Sequence, residues 1–200
     1  MKRKDLLFYI LLLLISIPVS AGWQRPVTNY TRHTYKAGNQ SWSIQQHDNG
    51  WIYVANNKGL LEFDGVEWNT YPIHNAKTRA VKVGHDGRIY IGGMEQFGYF
   101  TPNRLGGLEY TCLSDSLSPN VNVGVIWNIL LDGERVYFQS DRRFFYWEEG
   151  IVKKIDYSSE IYTSFILRNK LYITSAEGLL MLNGTEFIPC LLYTSDAADE

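Results

Sequence analysis

Two hundred residues, 45% hydrophobic and 20% charged, suffice for one domain with a substantial core and exclude general disorder. The 19 Lys and Arg against 21 Asp and Glu leave a net charge of −2 with no basic block, which argues against nucleic-acid binding by this segment. Aromatic residues at 14% and 17 glycines favour short twisted strands joined by tight turns.

The chain opens with a basic stretch, Lys2, Arg3 and Lys4, and Leu6–Ile17 is an apolar run broken only by Ser16. That run is shorter than the ~20 residues needed to span a bilayer. Pro18-Val19-Ser20-Ala21 then places small residues where a signal peptidase cuts, so residues 1–21 are expected to be a signal peptide and the remainder exported. Residues 22–41 form a lead-in segment. Cys112 and Cys190 are expected to be buried or half-buried free thiols, since one bridge does not make a disulfide scaffold.

From residue 42 onward one pattern occurs four times. An aliphatic-Tyr-apolar strand stands at Ile52-Tyr53-Val54, Ile89-Tyr90-Ile91, Val136-Tyr137-Phe138 and Leu171-Tyr172-Ile173, the tyrosines recurring at intervals of roughly 35 to 47 residues. Turns precede them at Asp48-Asn49-Gly50, Asp86-Gly87, Asp132-Gly133 and Arg168-Asn169. Third strands begin near Gly59, Gly98, Arg143 and Gly178, the glycines permitting a bend or close approach there. Outer strands follow at 66–71, 108–113, 151–155 and 185–188. Ahead of each tyrosine strand lies a further apolar run, such as Trp42-Ser43-Ile44, Val81-Lys82-Val83 and Val125-Ile126-Trp127.

Four short strands per unit of roughly 40 residues predict an all-β fold, a β-propeller of four-stranded antiparallel blades. About four blades are expected, at 42–73, 79–113, 123–156 and 161–188 within 42–189, an incomplete ring. The tyrosine rings are expected to pack between neighbouring sheets. An unclosed ring leaves sheet faces and edges open, so the isolated segment is expected to be poorly soluble or to self-associate.

Asn29–Ile44, Tyr53–Gly65 with Trp68 and Tyr71-Pro72, and Ile89–Gly93 with Gln96–Phe100 resemble the two-component-regulator propeller proteins of Bacteroidetes, also called triple-tyrosine-motif regulators. The resemblance covers about residues 26–188. It implies the sensing propeller of a membrane-bound regulator, followed in such proteins by a β-sandwich, a membrane helix and a histidine kinase or LuxR-type output. It further implies glycans or their breakdown products as ligands, a periplasmic location, and dimerisation through domains that this segment lacks. The propeller itself would meet the membrane only through that helix. The alternative is a free exported propeller, either a glycan-active enzyme or a protein-binding scaffold. Residues 190–200 resemble translated adapter sequence and are set aside as a non-native tail.

Chemistry motifs are sparse. His33, His47, His74 and His85 are dispersed without metal-ligand spacing, and no nucleophile elbow, Walker loop or dinucleotide fingerprint occurs. No enzyme activity, cofactor or metal is therefore expected of the segment. Glu148-Glu149 and the pair Asp156 and Glu160 read as solvated turns and edges. A propeller presents loops and inner-strand starts around a channel, a concave place for a ligand. Asn56, Asn57, Arg79, Glu95, Gln96, Trp127 and Asn128 are the candidates to line it, for an oligosaccharide or another small molecule.

Overall fold

The structure is a computed structural model that describes residues 27–74 and 77–190. The expected signal peptide, and the tail beyond Cys190, lie outside the described residues. Sixteen strands form four four-stranded sheets, each an antiparallel meander in chain order. Blade 1 holds β1 (Ser41–Gln46), β2 (Ile52–Asn56), β3 (Gly59–Phe63) and β4 (Trp68–Tyr71). Blade 2 holds β5 (Thr78–Val83), β6 (Ile89–Gly93), β7 (Phe97–Pro102) and β8 (Leu108–Cys112). Blade 3 holds β9 (Asn128–Asp132), β10 (Arg135–Gln139), β11 (Arg143–Glu148) and β12 (Ile151–Asp156). Blade 4 holds β13 (Ile161–Leu167), β14 (Lys170–Ser175), β15 (Gly178–Asn183) and β16 (Glu186–Pro189). The chain is thus four blades of a β-propeller.

The turns carry the backbone angles that their sequences favour. Arg168 and Asn169 both have positive φ, 50° and 59°, and join β13 to β14 as a two-residue loop of the type I′ kind. Gly59 has φ 123°, and a Cβ there would collide with the carbonyl oxygen of Tyr71, so only glycine opens β3. Gly178 differs from this pattern: its φ of 96° requires a glycine, but open space surrounds it.

Burial follows the repeat. Residues of β6 and β10 are covered on both sides because blades 2 and 3 are stacked between neighbours, and β2 is covered by blade 2 and the lead-in. Between blades 1 and 2, Tyr53 and Leu60 meet Val81, Ile89, Ile91 and Phe100. Tyr90 and Phe97 meet Val136, Phe138 and Phe145 between blades 2 and 3, and Tyr137 and Phe144 meet Leu171, Ile173 and Leu180 between blades 3 and 4. Tyr53, Tyr90 and Tyr137 are therefore each sealed by the apolar residues flanking the next blade's tyrosine. Tyr172 departs from the expectation: it is half-buried and stacks on Phe165, their ring centroids 5.5 Å apart, on the face of blade 4 turned away from blade 3.

The opposite outer face, on blade 1, is covered by the lead-in. A single turn of helix, α1 (Arg32–Tyr35), brings Tyr35 and Ala37 onto Val54, Leu61 and Trp68. Tyr30 adds its ring 4.9 Å from Phe63 and 5.5 Å from Trp68. One strand expectation needs correction. Val125-Ile126-Trp127 is not the first strand of blade 3, because Val125 makes only an isolated bridge to Met94 and Ile126 donates to the Gly93 carbonyl of blade 2. The segment joins the two blades, and β9 starts at Asn128. Cys112 and Cys190 are free and half-buried.

Candidate functional site

In every blade the start of the first strand and the turn between second and third strands lie at the same end of the sheet, as the registers show. At that end three first strands carry a bulge, at Trp42, Arg79 and Tyr162, where pairing skips one residue. A bulge leaves its extra residue outside the ladder and re-aims its side chain. Trp127 holds the matching place in blade 3, its backbone N–H donating to Gln139 just before β9. Two indoles are thereby held in the open, with Trp42 46% and Trp127 44% exposed.

These side chains form one connected cluster. The Arg79 guanidinium lies 4.2 Å over the Trp42 ring and donates to Asn57 Oδ1 at 2.7 Å. Trp42 Nε1 donates to the same oxygen at 3.1 Å, and Asn57 Nδ2 donates to Gln40 Oε1 at 2.7 Å. Trp127 Nε1 donates to Asp141 Oδ1 at 2.6 Å, and the two indoles meet edge to face with centroids 6.1 Å apart. Both indole donors are thus engaged, which fixes the ring planes. Burial pulls the Arg79 pKa below its usual value, and among the described residues no carboxylate forms an ion pair with it.

The sequence-predicted residues divide four ways. Arg79, Trp127 and Asn57 belong to the cluster. Glu95 and Gln96 lie at the same end, in the turn between β6 and β7, where Glu95 Oε2 accepts from the Val123 N–H at 3.1 Å and Gln96 Oε1 is buried without a partner. Asn128 bridges inner strands, donating to Ser164 O and Oγ at 3.0 and 3.1 Å. Asn56 requires a correction. It is fully buried, and its amide bonds Gly38 N and O, Lys58 N and Ser41 Oγ, so it clamps the lead-in to blade 1 and has no capacity left for a ligand.

Trp42 and Asp141 were not among the sequence candidates. The signal for Trp42 was present: Trp42, Arg79, Trp127 and Tyr162 each stand ten or eleven residues before their blade tyrosine. Asp141 had none, because its role depends on where Trp127 falls in space. Elsewhere, His85 is exposed at the opposite end, in a cleft of about 480 Å³ between blades 2 and 3 with Arg88 and Trp147. Glu148 pairs with Arg135 at 2.5 Å and Asp156 with Lys154 at 2.6 Å. Among the described residues no three His, Cys, Asp or Glu gather to hold a metal.

The sequence matches no family profile and no curated protein. Solved structures are similar in fold. The extracellular domain of a putative one-component system from B. thetaiotaomicron superposes with TM-score 0.57 at 14% identity, over 80% of this chain and 23% of that one. Virginiamycin B lyase from Staphylococcus aureus gives 0.61 at 13% identity, over 78% and 58%. The WD40 β-propeller domain of Doa1 gives 0.59 at 14% identity, over 78% and 55%. All three likenesses concern fold alone, and this chain spans about a quarter of the first relative's length.

Proposed function

We propose that this segment is the extracytoplasmic sensing propeller of a membrane-bound signal-transduction or transcription regulator, and that its ligand is a glycan or glycan fragment received at the Trp42, Arg79 and Trp127 end. The observation that carries the reading is the pair of half-exposed indoles with both Nε1 donors engaged. Sugar rings stack on fixed aromatic faces through their C–H groups, while Arg79, Asn57 and Gln40 offer hydroxyl-matching donors and acceptors. The likeness in fold to the extracellular domain of a one-component system supports an exported role in signalling.

Binding is favoured over hydrolysis at this end. Glycoside cleavage uses two facing carboxylates, and the cluster contains Asp141 alone, already bonded to an indole. Anchorage and output belong to a longer protein of which the propeller would be the outer part. The test is a titration of the chain with a panel of plant and host oligosaccharides, read by tryptophan fluorescence and melting temperature. A saturable response lost in Trp42→Ala and Trp127→Ala supports the reading. A response indifferent to both substitutions removes the site, and no response across the panel removes the glycan.

A further inference from the structure

The residue two places before the blade tyrosine is basic in three blades: Arg88, Arg135 and Lys170. In two of them the guanidinium satisfies both a carboxylate and an aromatic wall. Arg88 pairs with Asp86 at 2.5 Å and lies 5.0 Å over Tyr99 and 5.1 Å over Trp147. Arg135 pairs with Glu148 at 2.5 Å, donates to Tyr137 Oη at 2.9 Å and lies 4.9 Å over Tyr146.

Blade 1 lacks the cation and carries a carboxylate where the next two blades carry an aromatic ring. Trp51 takes the place of the arginine, and Glu62 stands opposite Tyr53, where Tyr99 and Tyr146 stand opposite Tyr90 and Tyr137. Glu62 is 3% exposed. Its Oε1 accepts from Tyr71 Oη at 3.0 Å and from Asn69 Nδ2 at 3.5 Å, whereas its Oε2 is buried with no partner. Among the described residues no Lys, Arg or His forms an ion pair with it. A buried carboxylate oxygen without a donor is costly, and native structures rarely keep one without a reason.

Glu62 lines a cleft of about 230 Å³ between blades 1 and 2, with His47, Trp51, Tyr53, Ile89 and Leu108. His47 Nδ1 accepts from the Asn49 N–H at 3.1 Å, so that nitrogen offers the carboxylate no proton. Tyr53 is beside Glu62, and burial first, then the Glu62 charge and a hydrogen-bonding approach to the same carboxylate, hold its hydroxyl protonated far above the usual range. The cleft thus combines a carboxylate, the Tyr53 hydroxyl and the rings of Trp51 and Tyr53, the same kinds of group that Arg88 and Arg135 meet in the next two blades, differently arranged.

We propose that this cleft is a second binding site, distinct from the indole cluster, which takes the guanidinium or ammonium head of a compact organic cation. The ligand's cation completes the charge pair that blade 1 lacks, and the aromatic rings hold it by cation–π attraction.

The test uses N-acetyl-arginine methylamide and its citrulline counterpart, which replaces the guanidinium by a neutral urea of the same shape. Binding to the whole chain is read by calorimetry and by the ligand's saturation-transfer NMR signal. The arginine compound is expected to bind at millimolar concentration or tighter, and the citrulline compound at least tenfold more weakly. Glu62→Gln keeps the side-chain shape and removes the charge; it is expected to abolish binding while leaving the melting temperature equal or higher. Should Glu62→Gln unfold the chain, Trp51→Ala at the cleft replaces it, with at least tenfold weaker binding expected. Equal binding of the two compounds, absence of binding by both, or unaltered binding in Glu62→Gln or Trp51→Ala overturns the proposal.

Discussion

Trp42 and Trp127 belong to blades 1 and 3, yet their rings meet edge to face at 65°, in front of the strand that carries Arg79. The contact ties together the inner edges of three sheets. It also leaves both rings open enough to take part in binding without first rearranging.

Removing either ring should affect recognition more than stability. Trp42→Ala takes away the ring under Arg79, a half-exposed cation–π contact that contributes about 0.5–1 kcal/mol. Urea denaturation should show a loss near that size, while affinity for a responding oligosaccharide falls by tenfold or more. A stability loss several times larger, with affinity intact, would assign the ring to the core.

Asn56 shows the reverse balance. Asn56→Ala leaves buried groups of Gly38 and Lys58 without partners, and a net cost of about 3 kcal/mol is expected. Asn56→Asp should be worse, since an oxygen then faces the Gly38 carbonyl. Chemical denaturation of the two variants checks the ranking.

The blade tyrosines were legible because hairpin turns and strands write short-range patterns: Asp86-Gly87 and Arg168-Asn169 announce their turns, and Tyr53, Tyr90 and Tyr137 fall where the repeat places them. Arg79 and Trp127 could be picked out as polar or aromatic residues near strand starts. The bulge at Trp42 could not, because a register shift is a property of two strands; in the sequence only the position's offset from Tyr53, shared by Arg79 and Tyr90, marks it. Asn56 misleads for a related reason, since its partner Gly38 returns only through the tertiary path of the lead-in. Val125-Ile126-Trp127 has a strand's composition, but Val125 and Ile126 pair with the preceding blade and only Trp127 bonds its own.

Acid should weaken the contact between blades 2 and 3. Burial alone would raise the pKa of Asp86, but hydrogen bonds from Tyr90 and from the Arg88 backbone and guanidinium outweigh it and leave the value depressed. A carboxylate with a depressed folded pKa contributes stability above its unfolded pKa of about 4, and that contribution is lost as pH falls through the folded value. Melting temperature should therefore drop below about pH 4, and less steeply in Asp86→Asn. Identical slopes in the two proteins would remove Asp86 from the explanation.

The β13–β14 turn can be improved. Two non-glycine residues at positive φ carry strain, and type I′ turns favour Asn-Gly. The double substitution Arg168→Asn with Asn169→Gly should raise stability by about 1 kcal/mol, measured by thermal and urea unfolding together. A neutral or negative effect would show that the Arg168 side chain contributes something the turn geometry does not reveal.

The lead-in has a consequence for assembly. Of the two outermost sheet faces among the described residues, one is already occupied by Tyr30, Tyr35 and Ala37, and only the Phe165 and Tyr172 face is free to meet another molecule. Among the described residues, stacking of a further blade, from the same chain or another molecule, is therefore open at blade 4 and closed at blade 1.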